Sequence, residues 1–336
     1  MKILLLDADN TGFPNLALMQ MSALFKSQHH QVFLNSSSEK IDQVYVSCVF
    51  TWNREKAISS TRYYPDAEVF YGGTGFNKTS KIPEEAQHLK PDYNLYPKID
   101  YSLGFATRGC IRNSDTCPWC VVPEKEGMIH QWSFLSDFVE PSFNKIMLLD
   151  NNLLSYRGHM DILSDLINLG KKVCITQAND IRLVTPENAE LLAQLRYYDT
   201  KFNARRLYFS WDRPDIEKAV LKGIEILLDI GINPDHIMFY VLIGCDTNYE
   251  EDLHRVKTLI DLGVKPYVML YNNMKGTYHH HLKRWIERRY YEIKPWEEYD
   301  HGDSQRWIQD GLLNKNTEQA VVSTLSASSN KEETEK

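Results

Sequence analysis

From residue 101 to residue 272, short apolar runs alternate with stretches of helical periodicity, and this alternation limits the fold more than any other feature of the chain. The runs lie at 102–106, 145–149, 171–176, 206–210, 236–243 and 266–271. Apolar residues at helical spacing centre on 156–169, 186–195, 215–230 and 249–262. Short runs between such stretches suit strands buried on both faces. Strands separated by helices pair in parallel, because a parallel pair needs a crossover about as long as a helix. Gly170, Gly231 and Gly263 close three of the helices just before the next run, where glycine takes the left-handed conformation that ends a helix. The expectation is an α/β chain with a partial (β/α)6 TIM-like barrel over 101–272. It should stay open, because the residues after Tyr271 supply no further clean step.

The first 100 residues repeat the pattern on a smaller scale. Apolar runs at 2–6, 31–34, 44–49 and 67–71 are separated by helix-like segments at 15–26 and 54–64. That predicts a small Rossmann-like α/β domain with helices on both faces of its sheet. Gly72, Gly73 and Gly75 follow the last run and read as a tight turn needing positive φ. Residues 77–100, with Pro83, Pro91 and Pro97, read as a linker holding one short helical piece.

Between the first two runs of the larger region, Cys110, Cys117 and Cys120 share one short loop within 104–127. Three thiols so close suit an iron–sulfur cluster or a soft metal ion. A cluster of four irons on three cysteines leaves one iron to take a ligand from outside the protein. Zinc is the other reading, with His130 as the nearest fourth ligand. In parallel barrels chemistry gathers at the C-terminal ends of the strands. There the sequence places Asp150, Asn151 and Asn152, then Asn179, Asp180 and Arg182, then Ser210 and Asp212. The fifth run leads into Gly244, Cys245 and Asp246, and the sixth ends in Tyr271. Polar side chains at every later strand end suit a polar cofactor and substrate. Cys48 and Cys174 lie within apolar runs and read as core.

The segment TRGCIRN…CPWCVVPEKEG resembles the cluster loop of the radical S-adenosylmethionine (SAM) enzymes. The gap of two residues between Cys117 and Cys120 matches that family's pattern, as does an aromatic residue, Trp119, before the last cysteine. The first gap holds six residues, 111–116, where the family has three; loops tolerate such insertions. The resemblance covers 101 to about 272 and implies a [4Fe–4S] cluster on Cys110, Cys117 and Cys120. It also implies SAM bound through its amino and carboxylate groups and cleaved reductively to methionine and a 5′-deoxyadenosyl radical, with the electron coming from a flavodoxin or ferredoxin. By the same resemblance Asp150, Asn151 and Asn152 correspond to the residues that meet the SAM amino group. Asn179, Arg182, Ser210 and Asp212 correspond to those holding the carboxylate and ribose, and Gly244 lies in the segment facing adenine. Arg182 is the foremost candidate, since the guanidinium fork suits a carboxylate. Asp212, Cys245, Asp246 and Tyr271 are the candidates to face substrate.

The pattern Asp7-x-Asp9-x-x-Gly12, with Gly72–Gly73 downstream, resembles the cobalamin-binding domain that precedes some members' barrels. Asp9 occupies that domain's histidine position, so a cofactor-free first domain is preferred over a corrin-dependent methyltransferase.

A net charge of −7 and a pI near 5.9 argue against broad nucleic-acid binding. A basic helix at 282–293, carrying Lys283, Arg284, Arg288 and Arg289, keeps nucleotide or nucleic-acid modification as an alternative; its better reading is a cap on the open barrel. His279, His280 and His281 are adjacent and point in different directions, so they make no shared metal site. No run approaches the about 18 apolar residues of a membrane span, and bunched cysteines fit a reducing cytoplasm. A small or modest-sized polar substrate is expected; a zinc-stabilised, non-catalytic interaction protein is the alternative from a different class. Capping helices are expected over 273–323 and a disordered tail over 324–336.

Overall fold

The computed structural model describes residues 1–273 and 278–299. The chain condenses into two compact units, one of residues 1–210 and 218–238, the other of residues 211–217 and the chain from 239 on.

The first unit opens with β1 (Lys2–Asp7), α1 (Leu16–Ser27), β2 (Gln31–Leu34), β3 (Gln43–Ser47), α2 (Arg54–Thr61) and β4 (Glu68–Gly72). The four strands are all parallel, in the order β2-β1-β3-β4, which is the order of a doubly wound sheet. β1 sits centrally with Ile3, Leu4 and Leu5 wholly buried, which is why it reads as a continuous apolar run rather than an alternating one. Asn15 caps α1 by accepting from Leu18 N and also donates from Nδ2 to Ser47 Oγ at 2.8 Å. Cys48 is buried with Leu4, Val44, Val46 and Ala57, as expected of a core thiol. Gly73 has φ +92°, and a Cβ there would lie 2.3 Å from Cys48 O, so that turn admits only glycine.

After α3 (Glu84–Gln87) the pattern of parallel steps begins. In chain order come β5 (Ser102–Gly104), β6 (Thr107–Arg108), α4 (Val122–Glu126), β7 (His130–Gln131), α5 (Leu135–Phe138) and β8 (Lys145–Leu148). There follow α6 (His159–Leu169), β9 (Lys172–Ile175), β10 (Asn179–Asp180), α7 (Pro186–Gln194), β11 (Leu207–Ser210) and α8 (Glu217–Asp229). β5, β8 and β9 pair in parallel in that order, β10 pairs in parallel with β11, and β6 pairs antiparallel with β7. The succession is that of an unclosed, barrel-like wall of β/α steps. Each helix hides one stripe: Ile162, Leu163 and Leu166 on α6, Ala189 and Leu192 on α7, Val220, Ile224 and Leu227 on α8. Thr185 caps α7 through a reciprocal bond with Asn188, and Gly170 ends α6 at φ +62°.

One difference from the expected wall matters for the site. The polar residues that follow the third run do not all lie in a loop. Asn179 and Asp180 form β10 themselves, in register with Phe209 and Ser210, and both are buried.

The second unit holds residues 239–243 of β12 (Ile237–Ile243), then α9 (Tyr249–Asp261), β13 (Lys265–Leu270) and α10 (Tyr278–Glu287). β12 lies beside β13. Asn248 and Glu251 cap α9 reciprocally, each side chain accepting the other's backbone N–H at 2.9 Å. An ion pair between Asp252 and Arg255, 2.6 Å long, is wholly buried, and Arg255 donates further to Trp211 O and Leu242 O. α10 buries His279, Leu282, Trp285 and Ile286. The basic character expected over 282–293 is partly neutralised, since Lys283 pairs with Glu287 within α10 and Arg289 with Glu292 just after it. Among the described residues no helix is long and apolar enough to cross a membrane. The segments expected as capping structure over 300–323 and as a tail over 324–336 lie outside the described residues.

Candidate metal and cofactor site

The cysteine loop leaves the end of β6 and returns through α4 to β7, so an antiparallel pair of strands closes its base. Thr107 faces Gln131 and Arg108 faces His130. Arg108 is clamped by Glu126 at 2.6 Å and lies over the rings of Phe105 and Trp132 at 4.7 and 4.6 Å. Gly109 turns the chain into the loop at φ +88°, where a Cβ would stand 2.5 Å from Met128 O. Cys110 N then donates to Gly127 O at 3.1 Å, and Cys120 N to Cys117 O at 2.9 Å. Cys117 is buried, whereas Cys110, Trp119 and Cys120 are half-buried.

Three consecutive residues just beyond β8, Asp150, Asn151 and Asn152, grip this loop and its base. Asp150 is wholly buried and accepts from Ala106 N at 3.1 Å, Thr107 N at 2.5 Å and Thr107 Oγ1 at 2.6 Å. Asn151 accepts from Gly109 N at 3.1 Å. Asn152 donates from Nδ2 to Cys110 Sγ at 3.6 Å and accepts from Asp180 N at 3.1 Å. Burial lifts the Asp150 carboxyl to about 6, against the pull of the hydrogen bonds from Thr107 and Ala106. Asp150 has no accessible surface, and its oxygens accept from the chain itself. Asn179 is engaged likewise. It is buried in β10, and its Oδ1 accepts from Leu154 N at 3.2 Å.

Asp180, a strand-end residue not among the expected cofactor contacts, organises the far side. It accepts from Arg112 Nε at 3.1 Å and pairs with Arg112 Nη2 at 2.7 Å. It also takes both Nε and Nη2 of Arg182, at 2.9 and 2.7 Å. Burial alone would push Asp180 up, but hydrogen bonds from Arg182 and the charge of Arg112 hold it below the ordinary carboxylate range. The guanidinium fork of Arg182 is therefore already spent on Asp180, although its side chain remains about a third exposed. Arg112 lies in the first cysteine gap and donates from Nη1 to Cys117 Sγ at 3.7 Å. Its backbone N donates to Cys110 Sγ at 3.5 Å. Arg112 lies outside every residue expected from the sequence, and its only signal there was a cation between two cysteines.

Cys110 and Cys117 thus receive N–H donors at sulfur, which suits sulfur carrying negative charge, as a cluster or metal ligand does. Among the described residues, no three His, Cys, Asp or Glu side chains come close enough together to hold a metal ion. His130, the proposed fourth ligand for zinc, bonds its ring to Met128 O at 2.9 Å. Ser210 stands half-buried beside Asp180 in the β10–β11 pair.

In the second unit, Asp212 accepts from Leu242 N at 3.3 Å. Gly244 N donates to Thr247 Oγ1 and Asp252 Oδ2 in a left-handed turn that continues through Asp246, at φ +52°. Cys245 is buried, and burial followed by the charges of Asp246, Asp212 and Asp252 raises its thiol pKa, which disfavours a reactive thiolate. Asp246 is exposed and Tyr271 half-buried. In α10, His279 is buried and His280 exposed, so the histidine run presents no common face. Burial takes His279 down to about 4.

No family profile matches this chain, and no curated protein matches it. Among solved structures it is similar to the apo, selenomethionine-labelled form of the cobalamin-dependent S-adenosylmethionine radical enzyme OxsB. The identity is 12% and the TM-score 0.48, over 87% of this chain and 56% of that one. The chain therefore spans little more than half that protein's length.

Proposed function

We propose that this chain is a radical SAM enzyme that holds a [4Fe–4S] cluster through Cys110, Cys117 and Cys120. The observation that carries the reading is the cysteine loop itself. It follows the first strand of an open parallel sheet, and donors from Arg112 and Asn152 are aimed at Cys117 and Cys110. A reduced cluster with SAM supplies a 5′-deoxyadenosyl radical able to abstract hydrogen from a carbon centre.

The protein's part is to position the groups and keep them dry. Asn152 and Arg112 steady the sulfurs through N–H···S contacts. Asp150 and Asn151 fix the start of the loop by engaging the backbone of residues 106–109. Trp119, Asn151, Asn152, Arg182 and Ser210, all in the first unit, are the residues proposed to meet SAM. Arg182 reaches a carboxylate only by sharing its fork with Asp180. Asp246 and Tyr271 are the candidates to face a small or modest-sized polar substrate. The single electron comes from a flavodoxin- or ferredoxin-like donor.

Anaerobic reconstitution tests the reading. About four irons and four sulfides per chain are expected, and Cys→Ser at 110, 117 or 120 should each abolish uptake. Dithionite-reduced protein given SAM should accumulate 5′-deoxyadenosine and methionine. Stoichiometric zinc without iron uptake would overturn the proposal in favour of a zinc-stabilised interaction protein.

A further inference from the structure

The enlarged first gap of the cysteine loop has a structural product. Its second residue, Arg112, folds back so that Nη1 stands 3.7 Å from Cys117 Sγ, while Nε and Nη2 engage Asp180 on β10. The Arg112 side chain is 13% exposed and Asp180 2% exposed, so water screens this arrangement poorly. Asp180 serves Arg182 as well, at 2.7 Å. Two guanidinium groups on one carboxylate leave a net positive charge beside the thiol. Meanwhile Asn113 Oδ1 accepts from Thr116 N and Oγ1, at 3.0 and 2.7 Å, closing the extra residues into a small turn of their own. The cation of the gap is thus tethered to the sheet.

Resting on the cluster reading above, we infer that Arg112 is a positioning residue that sets the reduction potential of a cluster ligated by Cys117. A cation and an N–H···S contact at a ligand sulfur favour the state carrying one more electron. The electron itself comes from the external donor, and Arg112 only shifts how readily it is accepted. Asp180 keeps the guanidinium at the sulfur, and burial keeps the charge effective.

The test is a redox titration, followed by electron paramagnetic resonance, of anaerobically reconstituted wild-type, Arg112→Lys and Arg112→Gln proteins, with dithionite as reductant. Iron and sulfide are counted first. The Gln variant should titrate at a distinctly more negative midpoint than wild type, and the Lys variant, which keeps the charge, should stay nearer wild type. Should the Gln variant hold no iron while the Lys variant loads and titrates near wild type, the need for the charge is likewise supported. Equal midpoints for wild type and Gln would overturn the inference and leave the cluster reading intact. Loss of iron from both variants would also overturn it, making Arg112 a packing residue. A wild-type protein that takes up no iron would remove the cluster reading, and this inference with it.

Discussion

Asp150 ends a strand where a parallel barrel places its chemistry, yet it accepts from Ala106 N, Thr107 N and Thr107 Oγ1 with none of its surface exposed. Burial lifts its carboxyl to about 6 from an ordinary 3.8. A carboxyl whose folded pKa is raised stabilises the fold fully below the unfolded value, and that stability is lost as pH rises through the folded one. Relative to Asp150→Asn, which cannot ionise, the wild type should lose about 3 kcal/mol of unfolding free energy between roughly pH 4 and pH 7. Denaturant unfolding of the two proteins across that range checks it; parallel curves would show that Asp150 does not titrate there. Arg182 poses the related question of a group with two claimants. Arg182→Met should leave iron loading unchanged and weaken SAM binding if the fork is shared; unchanged SAM affinity by calorimetry would confine Arg182 to holding Asp180.

At the scale of elements, the cysteine loop depends on how the chain enters it. Gly109 combines φ +88° with backbone oxygens of Met128 and Gly127 at 2.5 and 2.7 Å from a Cβ position. Gly109→Ala must therefore strain the backbone and push the returning strand aside, at a cost of about 1–3 kcal/mol or more. Its melting temperature should fall by several degrees, and its iron content after reconstitution should drop below wild type. A variant that melts and loads like wild type would show that β6 and β7 do not set the loop's base. α9 offers a milder case. Asn248→Ala removes one half of a reciprocal cap and should cost about 1 kcal/mol in thermal or denaturant unfolding.

For the molecule as a whole, the open question is what the parallel sheet of residues 1–100 does. By sequence resemblance alone, Asp9 corresponds to the histidine of a cobalamin-binding domain. Its carboxylate already accepts from Val49 N at 2.6 Å, Phe50 N at 3.3 Å and Asn53 Nδ2 at 2.8 Å. It is a strut between the loops after β1 and β3, with both of its oxygens already accepting. The visible spectrum of hydroxocobalamin should be unchanged on mixing with the protein. A shifted spectrum with one corrin per chain would restore the methyltransferase alternative.

The strands and the cysteine loop were readable from the sequence because both are local. A strand buried on two faces is a continuous apolar run whatever its neighbours, and all six expected runs appear, as β5, β8, β9, β11, β12 and β13. The spacing of Cys110, Cys117 and Cys120 belongs to one short loop, so its chemistry needs no fold to be suspected. The roles of the polar strand ends were not readable. Asp150 finds its partners 44 and 43 residues away, and Arg112 finds Asp180 at a separation of 68. A polar residue after a strand looks the same in sequence whether it faces a ligand or satisfies buried backbone. Only the tertiary structure decided that Asp150 is a strut, that Asn179 and Asp180 form a strand, and that Asp180 joins two arginines. Buried donors and acceptors must all be matched, and which groups need matching depends on what the fold brings within reach.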